Sequence, residues 1–308
     1  MPGIITIAQG EKRYIEMAKM LALSLSITNP GIERAVITDA ADDEFDGLYD
    51  IYIPYNKTYG EGLSQKLYLD KYSPFDETFF IDADCLVFNS LEPVLALCKK
   101  HSFVVFGDEV ISTGEWYMDV AYICKKFNLV NIPLFNGGTY YFTKTDIAYK
   151  IYNKARELKS NYIELGFKDF RGSINEEPLI AVAMAINNTG AVNDNGTAMR
   201  TPIGLIGPLK IDILKNTCLF NKEGVIVEPV ILHFSGGFSK GFHYKREIAK
   251  LKAFSKLPFL NKAAISNTMN FVYNIPYAFL VFFKRIVKIL IRKEKFDFNN
   301  PLPAFSNQ

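Results

Sequence analysis

The chain opens on an apolar, β-branched run from Gly3 to Ala8, and hydrophobic residues then shift to helical spacing. The run predicts a buried first strand. From Arg13 to Thr28, residues Tyr14, Met17, Ala18, Leu21 and Leu25 share one stripe, and Asn29-Pro30-Gly31 stops the helix. Arg34 to Thr38 and Tyr49 to Tyr55 predict two more strands, Leu63 to Tyr72 a second helix, and residues 78 to 82 a strand. Further on, Leu91 to Lys99, Met118 to Phe127 and Glu176 to Asn187 read as helices, and Gly138 to Phe142 as a strand. Thr145 or Asp146 opens another helix, and Ile226 to His233 forms a late strand ended by Gly236-Gly237. Strands alternating with helices predict an α/β fold, a largely parallel mixed sheet flanked by helices. Ligands of such sheets bind beyond the carboxyl ends of the strands. From about Tyr244 the chain turns Lys-rich and helical, which divides it into residues 1–243 and a basic helical extension over 244–308.

The stretch ETFFIDADCLVFNS breaks the hydrophobic pattern where it matters. Asp82 and Asp84 form an Asp-x-Asp between FFI and CLVF. An ionised carboxylate loses its hydration when buried, and a metal or cation must compensate. Just past a strand end the two carboxylates can converge on one hard cation, Mg²⁺ or Mn²⁺, which would bind diphosphate oxygens in turn. No cationic partner for them is evident nearby in sequence. A solvated turn or helix-cap pair is the plainer alternative.

Composition narrows the field. Hydrophobic residues make up 49% of the 308, enough for a substantial core, and a net charge of +2 excludes a globally basic nucleic-acid binder. Cys85, Cys98, Cys124 and Cys218 show no CxxC spacing, which predicts reduced, mostly buried thiols in a cytoplasmic protein. The start MPGIITIAQGEKR lacks the form of a signal peptide.

Taken in order, several short segments resemble one family. ITIAQGEKRYIEMAKMLALSL, SQKLYLDKYSPFDETFFIDADCLV, FNGGTYYF, EEPLIAVAMA and ILHFSGGFSKGF match the motif order of the GT-A glycosyltransferases of family 8, over about residues 4 to 245. The resemblance implies a GT-A fold and transfer of a hexose from a nucleotide-diphosphate sugar, a UDP-hexose, to a hydroxyl of a saccharide or lipid-linked acceptor, with retention of configuration. It places Ala8, Gln9 and Tyr14 at the nucleoside, Ala83 within the Asp-x-Asp, and His233 as a third metal ligand beside Asp82 and Asp84. The chain departs from the family at Gly137, where Ser or Ala is expected. It departs again at Glu176-Glu177, where Asp-Gln is expected, and at Lys240-Gly241-Phe242 in place of Lys-Pro-Trp. The glutamates leave the donor sugar open.

Each residue has a plainer reading beside the one the resemblance implies. Lys66 is either a surface partner of Asp70 or a phosphate ligand at a helix start. His233 is either a core histidine or a metal ligand. Asn136 either serves a turn or bonds the donor sugar. Gly236 and Gly237 either form a turn or let amides approach a phosphate, with Lys240 closing over it. Glu176 and Glu177 suit a helix start, and the resemblance puts one of them, preferably Glu176, beside the sugar. They are also the visible candidates for a carboxylate nucleophile. Tyr14 is core or stacks on uracil. Two rival functions remain: a sugar nucleotidyltransferase, for which AQGEKRY is a poor phosphate loop, and a non-catalytic membrane-surface protein on a transferase fold.

The carboxyl end predicts a location. FVYNIPYAFLVFF, residues 271–283, is apolar but interrupted by Asn274 and Pro276. It falls short of the roughly 20 residues needed to span a bilayer. Residues 284–295 carry six Lys/Arg and one Glu, with Lys284, Lys288, Arg292 and Lys295 at helical spacing. This predicts an interfacial helix over 271–295 on an anionic membrane, at the inner face for a cytoplasmic protein, or else a helix packed on the protein itself.

Overall fold

The computed structural model describes residues 2–170 and 172–292, with side chains through Phe283. The chain runs β1 (Gly3–Ala8), α1 (Lys12–Thr28), β2 (Arg34–Thr38), β3 (Ile51–Pro54), α2 (Leu69–Tyr72), β4 (Glu77–Ile81), β5 (Cys85–Val87) and α3 (Glu92–Cys98). Next come β6 (Phe103–Val104), β7 (Glu109–Ile111), α4 (Val120–Phe127), β8 (Ile132–Leu134), β9 (Thr139–Thr143), α5 (Asp146–Ser160) and α6 (Glu176–Ile186). The last part holds β10 (Met199–Arg200), β11 (Leu205–Asp212), β12 (Thr217–Lys222), β13 (Val225–Val227), β14 (Ile231–His233), α7 (Phe242–Lys256) and α8 (Lys262–Arg292).

The main sheet has six strands in the order β3-β2-β1-β4-β9-β6. The first four are parallel, and β9 runs antiparallel to both β4 and β6. Both faces are covered, so successive residues of one strand enter different cores. Ile5 and Phe80 pack with Tyr152 and Leu179 on the α5–α6 side, while Ile4 and Phe79 pack with Leu21 opposite. This explains why β1 and β4 read as continuous apolar runs rather than alternating ones.

Three local expectations change. The predicted helix over Leu63–Tyr72 is a 3₁₀ stretch, Gly62–Tyr68, followed by the single turn α2. The predicted late strand divides. β13 pairs with β12, whereas β14 joins β5 and β10, and Pro229, which has no N–H for a ladder, lies in the break. At the carboxyl end the helix expected from residue 271 begins earlier, at Lys262, and runs through Pro276.

A buried charged clasp fastens α7 and α8 to the body. Lys250 of α7 is fully buried and lies 3.2 Å from Asp212 Oδ2 and 3.0 Å from Glu247 Oε1. Arg246 bonds Glu247 at 2.9 Å and the Ile211 carbonyl at 2.8 Å, while Ser266 and Asn270 of α8 donate to Asp212. Tyr244 and Leu251 share a core with Met17, Ala18 and Leu232. Lys250→Met leaves Asp212 without its cation, and loss of one partner of a buried pair costs about 3 kcal/mol or more. Urea unfolding is expected to show that loss, and a midpoint unchanged from wild type would remove the clasp from the protein's stability.

Candidate active site

The two antiparallel returns of the chain assemble one site at the carboxyl end of β4. Ile81 pairs with Thr139, so the loop Asn136-Gly137-Gly138 before β9 lies against Asp82, whose N–H donates to the Gly138 carbonyl at 2.9 Å. Cys85 pairs with His233, so β14 delivers His233 beside Asp84, and the Phe234 N–H donates to the Asp84 carbonyl at 3.0 Å. Asp82-Ala83-Asp84 itself is a turn between β4 and β5, with the Cys85 N–H closing onto the Asp82 carbonyl at 3.0 Å. The carboxylates therefore converge through a turn and not along one strand face.

Lys66 is the largest surprise. It is buried at 6% exposure, near the carboxyl end of the 3₁₀ stretch and not in the first turn of a helix. Its Nζ lies 2.7 Å from Asp82 Oδ2, 3.0 Å from Glu176 Oε1 and 3.0 Å from the Gly137 carbonyl. Asp82 thus has a cationic partner that lies 16 positions away in sequence. Asp70 pairs with Arg156 instead, at 2.6 Å, and Arg156 also caps the Leu67 carbonyl at 2.7 Å. The surface Lys66–Asp70 pair is overturned. Burial opposes the charge on Lys66, but Asp82 and Glu176 prevail and hold it protonated well above its ordinary range.

His233 has a defined role in this arrangement. Asn136 Oδ1 accepts from the Gly138 N–H at 3.1 Å, so the same oxygen accepts from His233 Nδ1 at 2.7 Å, and that nitrogen carries a proton. Nε2 then faces Asp84 Oδ1 at 3.0 Å and Asp82 Oδ2 at 3.8 Å. Burial disfavours the imidazolium, but Asp84 outweighs it and raises the histidine above its usual value; burial likewise opposes ionisation of Asp84, and His233 holds it below. A nitrogen aimed between two carboxylates suits either a proton or a divalent cation, so Asp82, Asp84 and His233 fit a hard metal. Cys85 also brings its sulfur within 4.8 Å of the ligand atoms of Asp84 and His233. Burial pushes that thiol far up, and Sγ points at the Gly138 carbonyl, so it is the poorer donor for a hard ion.

Two glycines make the convergence possible. A Cβ on Gly138 would lie 2.5 Å from His233 Nδ1, and one on Gly137 would lie 2.7 Å from Glu176 Oε1. Asn175 caps α6 by accepting from the Glu177 N–H at 3.1 Å, which sets Glu176 and Glu177 at the helix start. Glu176 is 1% exposed, and its Oε2 has no hydrogen-bond partner among the described residues. Glu177 Oε1 accepts from the Gly137 N–H at 2.6 Å.

The other expected residues are distributed around this centre. Ala8 is buried and Gln9 half-buried at the end of β1, the same end of the sheet as Asp82. Ala83 is buried. Tyr14 is not core: it is 37% exposed, with Arg13 stacked 4.6 Å from its ring centre. Gly236 and Lys240 are exposed on a 3₁₀ turn after β14, and Lys240 has no ion-pair partner among the described residues. Sequence reasoning missed Gly138, Tyr140, which donates to Glu176 at 3.4 Å, and Arg156. Gly138 and Tyr140 lay inside the FNGGTYYF segment, whereas no local signal marked Arg156.

The fold can now be compared with known ones. Neither a protein-family model nor a curated protein matches the sequence. Among solved structures, the galactosyltransferase LgtC in complex with donor and acceptor sugar analogues aligns with a TM-score of 0.52 at 14% identity, over 76% of this chain and 87% of that one. An active-site Gln-to-Glu variant of LgtC aligns with a TM-score of 0.51 at 15% identity, over the same shares. The fold is the GT-A glycosyltransferase fold. The GT-A fold expected from the motif order is thereby found, with a sheet that mixes parallel and antiparallel strands.

Glu177 makes the site pH-sensitive. Burial, and next the Glu176 carboxylate, push its carboxyl up to about 7 from an ordinary 4.5. The folded protein then holds a proton that the unfolded chain releases at lower pH. Stability from this group is complete below pH 4.5 and declines as pH rises through about 7. Glu177→Gln is expected to flatten that decline in melting temperature across this window, and an identical pH profile in both proteins would count against it.

Proposed function

We propose that the protein is a metal-dependent glycosyltransferase, moving a hexose from a UDP-hexose to a hydroxyl acceptor with retention of configuration. The observation that carries this reading is the convergence of Asp82, Asp84 and His233 at the carboxyl end of β4, with a buried lysine beside them. Asp82, Asp84 and His233 would hold Mn²⁺ or Mg²⁺, which when bound neutralises charge on the diphosphate oxygens as a Lewis acid. Lys66, whose three donors go to Asp82, Glu176 and the Gly137 carbonyl, would act on the departing diphosphate through its charge and through Asp82, and the exposed Lys240 would offer a free ammonium. Gly236 and Gly237 leave backbone N–H groups open to a phosphate on the same turn. The unpartnered Glu176 Oε2 suits a sugar hydroxyl. Ala8, Gln9 and Tyr14 border the nucleoside end, where the exposed Tyr14 ring is available for stacking.

Retention admits attack on the front face within an ion pair, or two displacements through a carboxylate. We favour the front face. Glu176 Oε1 is already engaged by Lys66, and the raised Glu177 carboxyl is a weaker nucleophile at neutral pH for the fraction that is protonated.

Purified protein with Mn²⁺ and a panel of nucleotide sugars is the test, reading nucleotide release with and without saccharide or lipid-linked acceptors. Released UDP supports transfer, and pyrophosphate released in a parallel reaction from a nucleoside triphosphate and a sugar 1-phosphate would instead indicate a nucleotidyltransferase. Asp82→Ala and Asp84→Ala are each expected to lower turnover by about 100-fold or more at limiting Mn²⁺. His233→Ala is expected to weaken Mn²⁺ binding more than it lowers the melting temperature. Wild-type turnover in either aspartate variant would sink the metal reading.

The carboxyl-terminal helix supports a membrane-bound setting, at the inner face of a membrane for a cytoplasmic enzyme. Among the described residues no helix is long and apolar enough to cross a membrane. Phe271, Ile275, Phe279 and Phe283 recur four apart on α8 and are 68%, 43%, 62% and 64% exposed. A groove of 720 Å³ between α7 and α8, lined by Phe242, Val272, Tyr277 and Leu280, adds apolar surface beside them. The predicted segment 271–295 extends past the described residues at Lys293, Glu294 and Lys295. The full chain is expected to co-sediment with anionic vesicles at low salt and to release in high salt. Protein left in the supernatant at low salt would exclude this.

A further inference from the structure

Gly137 is enclosed by the charged network on every side. Its carbonyl accepts from Lys66 at 3.0 Å and its N–H donates to Glu177 at 2.6 Å. A Cβ at this position would lie 2.6 Å from Tyr140 Oη, 2.7 Å from Glu176 Oε1 and 2.9 Å from Glu177 Cγ. Contacts that short do not persist, so something must move. Glu176 is tied to Lys66 at 3.0 Å and buried at 1%, and Tyr140 is buried at 1% as well. A shift of Glu176 Oε1 away from position 137 disturbs its contact with Lys66. Two of the positions where this chain departs from the resembled motifs, Gly137 and Glu176, are therefore in contact.

We propose that Gly137 and Glu176 form one positioning element: the missing side chain at 137 is the space in which the long Glu176 side chain holds Lys66 against Asp82. A side chain at 137 crowds Glu176 Oε1 and Tyr140 Oη, which are bonded to each other at 3.4 Å, whereas an aspartate at 176, whose carboxylate sits one methylene further back, removes the first contact and opens the space into which Tyr140 Oη can shift. When Glu176 is displaced, Lys66 loses part of its hold on Asp82, and the effect on turnover rests on the glycosyl-transfer reading above.

A double-mutant cycle separates length from charge. Gly137→Ala, Glu176→Asp, Glu176→Gln and the doubles Gly137→Ala/Glu176→Asp and Gly137→Ala/Glu176→Gln are melted without ligand. Their UDP release is then measured with the best wild-type donor, at a temperature where each is folded. Gly137→Ala is expected to lower the melting temperature and to cut kcat by about tenfold, through Lys66. Adding Glu176→Asp is expected to recover part of both losses, so that Gly137→Ala costs less in the Glu176→Asp background than in the wild type, the contact with Glu177 Cγ remaining. Adding Glu176→Gln, which keeps the length, is expected to rescue neither. If Gly137→Ala alone does not fold, folding of the Asp double mutant is itself the rescue, and its failure overturns the proposal. Equal effects of Gly137→Ala in the wild-type and Glu176→Asp backgrounds overturn it too. If the wild type releases nucleotide from no sugar donor, the transfer reading falls, while the melting cycle still decides the coupling.

Discussion

The arrangement of the site depends on one buried ammonium. Lys66 carries a charge that burial opposes, and it keeps that charge because Asp82 and Glu176 flank it within 3.0 Å. Removing either carboxylate would leave the lysine underpaired, and removing the lysine would leave both carboxylates repelling each other. The surrounding chain fits this constraint. The 3₁₀ stretch that bears Lys66 is held by Arg156, which bonds both its Leu67 carbonyl and Asp70. Asn175 sets Glu176 at the start of α6, and Gly137 yields a carbonyl without bringing a side chain.

The antiparallel strands serve the site more directly than the parallel ones. Parallel β1, β2 and β4 build a common edge at which Ala8 and Asp82 emerge. The pairing of β9 with β4 brings Asn136 and Gly138 to that edge, and the pairing of β14 with β5 brings His233. Asn136 then selects the proton position on His233, leaving Nε2 for the carboxylates. A one-residue slip in β14 would turn His233 to the opposite face.

Much of this was legible in the sequence where local physics decides. β1, α1, β2 and β4 followed from apolar runs and stripes, and the two aspartates stood out because charge interrupted such a run. All four cysteines are buried and unpaired, as their spacing suggested. What failed was long-range. Lys66 stood between a surface partner of Asp70 and a phosphate ligand, and neither reading found its partners Asp82 and Glu176, which are far away in sequence, while Arg156 takes Asp70. Tyr14 matched the helical stripe by spacing, yet it sits at the exposed end of α1. The strand expected over 226–233 was two strands of different sheets, which periodicity cannot separate when both are apolar. The short strands β6, β7, β8 and β10 offered too few residues for a period to register.

The clasp and the site use the same device to opposite ends. Each centres on a buried lysine between two carboxylates: Lys250 with Asp212 and Glu247, Lys66 with Asp82 and Glu176. An unpartnered oxygen does not distinguish them, since Asp212 Oδ1 and Glu176 Oε2 both lack a hydrogen-bond partner among the described residues. Charge does. At the clasp Arg246 adds a second cation, so two cations meet two carboxylates and the cluster closes on itself as structure. At the site Asp84 and Glu177 add further acids and no second lysine or arginine is paired with them among the described residues, so the excess is offset by protons on His233 and Glu177. Side chains of Asp82 and Asp84 also keep 19% and 24% of their surface open, whereas Glu247 keeps none. A cluster that is both acidic in excess and open to solvent favours a cation from outside the chain, and that difference in balance is the physical ground for reading one cluster as a fastening and for proposing the other as a binding centre.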